Sequence, residues 1–326
     1  MKLTDTFGRR ITYLRLSVTD RCNFRCRYCM PEAGVSKLRH EDVLSYEDLY
    51  RVARESVALG VEKIRVTGGE PLVRKGVVRF LERVASIPGL RELTITTNGV
   101  LLRKLAMSLR QAGVNRINVS LDSLRPGTFS TITRGGNLEE VLDGISAAEE
   151  AGFPPVKINA VLMRGVNDDE VLDFAALAAR KPRTIRFIEY MPTVKEQGWK
   201  ALCVTGSEVI DRIQTHYTLT PIESENMAGP AREFAIEGGS GRIGIITPIS
   251  EHFCSRCNRM RVTASGLAKG CLFGNEDVDL KPYLRNRDNE ALKQALQSIV
   301  GGKQSWHGLF SAERLSAPFA MSQIGG

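Results

Sequence analysis

The stretch "ITYLRLSVTDRCNFRCRYCM", residues 11–30, joins a strand-like run to Cys22, Cys26 and Cys29, three cysteines within eight residues. A loop at the C-terminal end of a strand is where open α/β sheets and barrels carry their active residues. Zinc sites and iron–sulfur clusters usually take four protein ligands, so a set of three leaves one position to be filled from elsewhere. On the residues alone, two readings stand. One is a zinc loop that borrows a distant ligand; the other is an iron–sulfur cluster with one open iron.

The remainder of the chain narrows the choice. Its 326 residues, 42% hydrophobic and 25% charged, have ordinary globular composition and can bury a substantial core. No apolar run approaches the roughly 20 residues of a membrane helix, and "MKLTDTFGRRITYLRL" holds no signal-peptide core, so a cytoplasmic protein without membrane contact is expected. Six of the seven cysteines fall in two groups, which in a reducing compartment favours metal binding over disulfides. The formal charge of +8 attracts polyanions. With only 6% aromatic residues and no basic run interleaved with them, a phosphorylated small molecule fits better than nucleic acid.

Between residues 11 and 191, "ITYLRLSVT", "EKIRVTGGE", "ELTITTNG", "RINVSLDS", "PVKINAVL" and "TIRFIEYM" read as strands, separated by stretches with helical apolar spacing. "NLEE" and "NDDE" open two of those helices with a candidate Asn cap. Repeated βα units imply parallel strands joined by right-handed crossovers. Strands covered on both faces read as continuous apolar runs. Here Ile64 and Val66 alternate with Lys63, Arg65 and Thr67, and Ile117 and Val119 with Asn118 and Ser120. Helices therefore cover one face, and the other is a polar, basic lumen. The expected fold is an incomplete, TIM-like (β/α)6 barrel over residues 1–195. A smaller subdomain over 196–326 is expected to close its open side.

That subdomain carries the second group, Cys254, Cys257 and Cys271, again three without a fourth; Cys203 is distant in sequence. A second cluster with an open iron suggests direct ligation of a substrate. The CxxxCxxC loop after a strand, with "TGGEP" (67–71) ending the next one, resembles the radical S-adenosylmethionine (SAM) superfamily. "LRLSVTDRCNFRCRYCMP", "KIRVTGGEP", "INVSLDSL", "VKINAVLMRGVND", "RFIEYMP", "FCSRCNRMRV", "CLFG" and the terminal "IGG" extend the resemblance over essentially the whole chain. They match the GTP-cyclising branch that opens molybdenum cofactor biosynthesis.

The resemblance implies two [4Fe–4S] clusters, held by Cys22, Cys26 and Cys29 and by Cys254, Cys257 and Cys271, with SAM on the first. It implies that a 5′-deoxyadenosyl radical takes hydrogen from C3′ of GTP. The C3′ radical would then attack guanine C8, and reduction of the resulting radical by one electron and a proton would give 3′,8-cyclo-7,8-dihydro-GTP. By motif position Tyr28, Gly69, Ser120 and Met191 would contact SAM. Arg15, Arg65, Thr96, Lys157, Arg259, Met260 and Arg261 would contact GTP, and Lys63 and Arg186 share the inward parity. Arg259, Arg261, Gly325 and Gly326 would serve catalysis, the two glycines by reaching into the active site. An external electron donor, a functional link to cyclic pyranopterin monophosphate synthase and a homodimeric assembly belong to the same expectation. A peptide-modifying radical SAM enzyme, or a zinc or redox module, would account for cysteine groups without the basic lumen.

Overall fold

The computed structural model describes residues 2–32, 34, 36–191, 198–223, 229–274, 277–306 and 321–324. The six expected strands form: β1 (Tyr13–Ser17), β2 (Lys63–Thr67), β3 (Glu92–Thr97), β4 (Arg116–Ser120), β5 (Lys157–Leu162) and β6 (Thr184–Glu189). The helices between them are α1 (Tyr46–Ala58), α2 (Val77–Ala85), α3 (Leu102–Gln111), α4 (Pro126–Thr133), α5 (Leu138–Glu150) and α6 (Val171–Arg180). Ser45 caps α1 by accepting from Asp48 N, and Asn137 caps α5 by accepting from Glu139 N, as "NLEE" predicts. Asn167 of "NDDE" does otherwise. Its side chain accepts from Met163 N at 2.8 Å and donates to the Asp122 and Val161 carbonyls at 2.6 and 2.9 Å. Stitching the β4 and β5 ends together occupies the oxygen that a cap would use.

After residue 195 come α7 (Trp199–Leu202), α8 (Gly206–Gln214), β7 (Leu219–Ile222), β8 (Arg232–Ile236), β9 (Arg242–Ile246) and β10 (Arg259–Val262). Then follow β11 (Leu267–Lys269), β12 (Asp277–Asp279), α9 (Lys281–Arg285), α10 (Asn289–Gly301) and α11 (Met321–Ile324). Among the described residues all the strands belong to one open sheet, ordered β12-β11-β10-β1-β2-β3-β4-β5-β6-β9-β8-β7. The C-terminal part contributes by lengthening both edges of the barrel sheet. β10 pairs parallel with β1 and β9 parallel with β6, satisfying backbone groups that would otherwise be bare at two edges. The run from β10 to β9 is parallel throughout.

One face of this sheet is apolar. Leu14, Leu16, Ile64, Val66, Leu93, Ile95, Ile117, Val119 and Ile158 are at most 1% exposed and belong to the main core. The opposite face, read along the register, carries Arg259, Tyr13, Lys63 and Glu92 in one row and Arg261, Arg15, Arg65 and Thr94 in the next. Farther along the sheet Thr96, Asn118, Lys157 and Thr184 share a row, as do Ser120, Asn159 and Arg186. The alternation legible in the sequence is thus an apolar outer and a basic inner face. No helix among the described residues is long and apolar enough to cross a membrane.

Candidate active site

The first cysteine loop follows β1 and is fixed by backbone contacts. Arg25 N and Arg27 N donate to the Thr133 and Ile132 carbonyls at the end of α4, and Asn98 Nδ2 donates to Asn23 Oδ1 at 2.7 Å. Arg134 caps α4 in a left-handed conformation (φ 55°) and gives NH1 to the Arg25 and Met30 carbonyls at 2.9 and 3.0 Å. A strained non-glycine residue that holds a cysteine loop is placed where strain commonly collects. The "TGGEP" turn packs against the same loop. Gly69 N donates to the Thr19 carbonyl and Glu70 N to the Arg21 carbonyl, each at 2.8 Å. A Cβ on Gly69 would collide with the Arg21 carbonyl oxygen.

Acidic groups surround this end of the barrel. Burial pushes Glu70 up to about 7 although Asn98 N, Leu72 N and the Thr97 hydroxyl all donate to it. Burial pushes Asp122 up to about 6; its carboxylate accepts from Val161 N at 2.9 Å and from the Tyr28 hydroxyl. Burial and these carboxylates leave the Cys22 thiol at about 11 and the Cys26 thiol raised. Gly69, Ser120 and Met191 stand at or just beyond the C-terminal ends of β2, β4 and β6, the same end as this loop.

The second cysteine group lies at the opposite end. Cys257 precedes the first residue of β10, whereas Cys22 follows the last residue of β1, and the two strands are parallel. Cys254 opens a single 3-10 turn closed by Cys257 N on the Cys254 carbonyl. Cationic side chains converge here. Arg259 NH2 and Lys303 Nζ each lie 3.5 Å from Cys257 Sγ, and Lys303 also donates to the Arg259 and Gly270 carbonyls at 3.0 and 2.5 Å. Burial opposes ionisation of Cys257, but Arg259 and Lys303 outweigh it and bring the thiol down to about 6.

Two buried charges that sequence reasoning missed brace the two ends of the barrel, Arg9 beside the second cysteine group and Glu189 at the C-terminal mouth. Arg9, paired with the buried carboxylate of Asp5 at 2.5 Å, donates to the Cys254 carbonyl at 2.7 Å and to the Gln304 carbonyl at 2.6 Å. Glu189, at the end of β6, accepts from Gly206 N, Ile249 N and Ser250 N, each at 2.9 Å, and from the Ser250 hydroxyl. Each links segments far apart in sequence, so no local motif announces it.

Between the two ends lie the inward cations. Arg15, Arg65, Lys157, Arg259 and Arg261 share the inner face with Thr96, Lys63 and Arg186. Met260 does not. Its side chain is 1% exposed in the apolar core, in register with Leu14, so the expectation that it meets GTP does not hold for the side chain. Burial and repulsion between neighbours depress Lys157, Arg261 and Arg15, whereas the Cys257 thiolate raises Arg259 against its burial. Lys157 falls to about 7 through burial and Arg186, and Arg261 to about 10 through burial and Arg259. Arg15 is lowered by burial and Arg261. Tyr13 Oη, Thr96 Oγ1, Asn118 Oδ1, Asn159 Oδ1 and Arg261 NH1 are buried on this face without a hydrogen-bond partner. Crowded cations beside unsatisfied polar atoms describe a wall shaped for a polar anion.

The donor sets suit the implied clusters. None of these six cysteines is in a disulfide and all are partly buried, and three thiolates on a four-iron core leave one iron open. Among the described residues no three ligating side chains converge as closely as one metal ion requires. Gly325 and Gly326 lie outside the described residues.

A fold of this kind, with a three-cysteine loop at the mouth of a parallel half-barrel, defines the radical SAM class. The model of the radical SAM superfamily matches residues 16–178, and that described as Molybdenum Cofactor Synthesis C matches 183–309. The GTP 3′,8-cyclase of Geobacter sulfurreducens is 59% identical over the full length of both chains. That of Moorella thermoacetica is 47% identical, with 99% of this chain and 100% of the relative covered. A crystal structure of Streptococcus suis SuiB bound to S-adenosylmethionine shares the fold. Its TM-score is 0.61 at 14% identity, over 92% of this chain and 68% of that one. The chain belongs to the GTP 3′,8-cyclase family of the radical SAM superfamily.

Proposed function

We propose that this chain is a cytoplasmic GTP 3′,8-cyclase, catalysing the first step of molybdenum cofactor biosynthesis with a [4Fe–4S] cluster on each cysteine triad. The observation that carries the reading is the opposed character of the two ends of the barrel. Glu70 and Asp122 surround the first triad, which suits the sulfonium and ammonium charges of SAM. Arg259 and Lys303 surround the second, and Arg15, Arg65, Arg261 and Lys157 continue the cationic wall, which suits a triphosphate.

Cys22, Cys26 and Cys29 would hold the cluster that, reduced and with SAM bound, would supply the radical for hydrogen abstraction from C3′ of GTP. The protein's part is placement. Tyr28, Gly69, Ser120 and Met191 hold SAM at the C-terminal mouth, and the arginine rows hold the triphosphate. The backbone at Met260 lines the approach to the second cluster, so that ribose and base stay in one arrangement. The tail supports a role for Gly325 and Gly326, because Met321 N donates to the Cys29 carbonyl at 3.2 Å and Ile324 is buried. An external donor supplies electrons, and cyclic pyranopterin monophosphate synthase consumes the product. The reading is tested by anaerobic reconstitution, then incubation with SAM, reductant and GTP, with mass analysis of the products. Expected are about eight irons per chain and 5′-deoxyadenosine released only when GTP is present. Stoichiometric zinc without acid-labile sulfide would overturn it.

A further inference from the structure

Arg186, Gly244 and Glu233 lie in one register row across β6, β9 and β8. A Cβ on Gly244 would sit 2.9 Å from Arg186 Cγ, so only glycine lets the arginine pass over this strand. Arg186 does so and donates from NH2 to Glu233 Oε1 at 2.5 Å. Lys157 Nζ lies 3.5 Å from the same oxygen, and Arg242 NH1 lies 3.7 Å from Oε2. The Glu233 side chain is 20% exposed. A carboxylate among three cations, beside a polar inner face, stands where a phosphoryl group would be held, with the same charge sign and the same forked acceptor geometry. Polar capacity remains around it: Arg186 Nε and the neighbouring Asn159 Oδ1 are buried without partners. A carboxylate placed for stability alone explains neither, and a buried ion pair contributes little to stability in any case.

We propose that Glu233 is an internal competitor for the polyphosphate of the substrate. It holds Arg186 and Lys157 in position while the site is empty and releases them when a more highly charged anion enters. Short phosphates cannot displace it, so the residue sets a minimum charge for entry. This rests on the inner face being the GTP site.

Calorimetric titration of the reconstituted full chain with GTP, inorganic tripolyphosphate and orthophosphate tests both levels. Glu233→Gln is expected to bind GTP and tripolyphosphate about tenfold more tightly, since one opposing charge is removed from the wall. It is also expected to bind orthophosphate measurably where the unmodified chain does not. Glu233→Asp keeps the charge and should stay closer to the unmodified chain, while circular dichroism reports the fold of both variants. Unchanged or weaker binding by Glu233→Gln overturns the inference, as does an equal gain in Glu233→Asp. If the unmodified chain binds neither GTP nor tripolyphosphate, the reading of the inner face falls and this inference with it. If the unmodified chain binds both and Glu233→Gln binds no tighter, only the role of Glu233 falls.

Discussion

Gly69 gives its N–H to the Thr19 carbonyl, while the space beside its Cα is filled by the Arg21 carbonyl, one residue before Cys22. The glycine that the family resemblance assigns to SAM is therefore also a packing requirement of the cysteine loop. Gly69→Ala is expected to displace that loop while the second triad is untouched. Iron and sulfide per chain should fall by about half, with the circular dichroism spectrum retained; full iron content in this variant would contradict the packing argument. Residues of this kind divide by how far their partners lie along the chain. The cysteines and the double glycine are legible because their spacing is local. Arg9 is not, since the carbonyl it holds lies 245 residues away at Cys254, and neither is Glu233, whose partners sit on β5, β6 and β9.

The six repeated strands were readable because each alternates one apolar and one polar face, and the structure turns that alternation into an outer and an inner side. α4 escaped notice. "PGTFSTIT" offers Phe129 and Ile132 as its only large apolar residues and contains glycine, serine and three threonines, so its propensity is weak and tertiary contacts decide. The edge pairings β1–β10 and β6–β9 were equally hidden, because parallel partners far apart in sequence leave no turn signal between them. Parity along β1 can be tested directly. Leu16→Arg puts an unpaired charge into the apolar core, where Leu16 is fully buried, and should cost more than about 4 kcal/mol in denaturant unfolding. Arg15→Leu, one position away on the cationic face, should leave the unliganded melting temperature equal or higher while abolishing the rise produced by GTP. Similar losses of stability in both variants would mean that the two faces are not distinguished.

On the scale of the whole molecule, the inner wall gathers positive charge that the fold tolerates poorly until an anion arrives. Lys157 makes this measurable. Its folded value of about 7 lies below the roughly 10.4 of an unfolded lysine, so between those limits the unfolded chain binds more protons. Its contribution therefore makes the unliganded protein more stable as pH rises from about 7 towards 10. A triphosphate favours the charged lysine, so the stabilisation produced by GTP should shrink over the same interval. Melting temperatures with and without GTP from pH 6.5 to 9 check this; a ligand-induced rise that grows with pH would contradict it.

The parallel pairing of β1 with β10 also makes the backbone a ruler. Cys22 lies beyond one end of the pair and Cys257 before the other, and the five residues of β1 at about 3.3 Å each set off about 16 Å between the loops. That interval is counted in peptide units and does not depend on which side chains line it. Inserting residues into either strand alone would break the register that joins them. The working distance can therefore change only if two segments some 245 positions apart lengthen together. Side chains along the interval remain free to vary, so the fold fixes the length of what it processes more firmly than its chemistry.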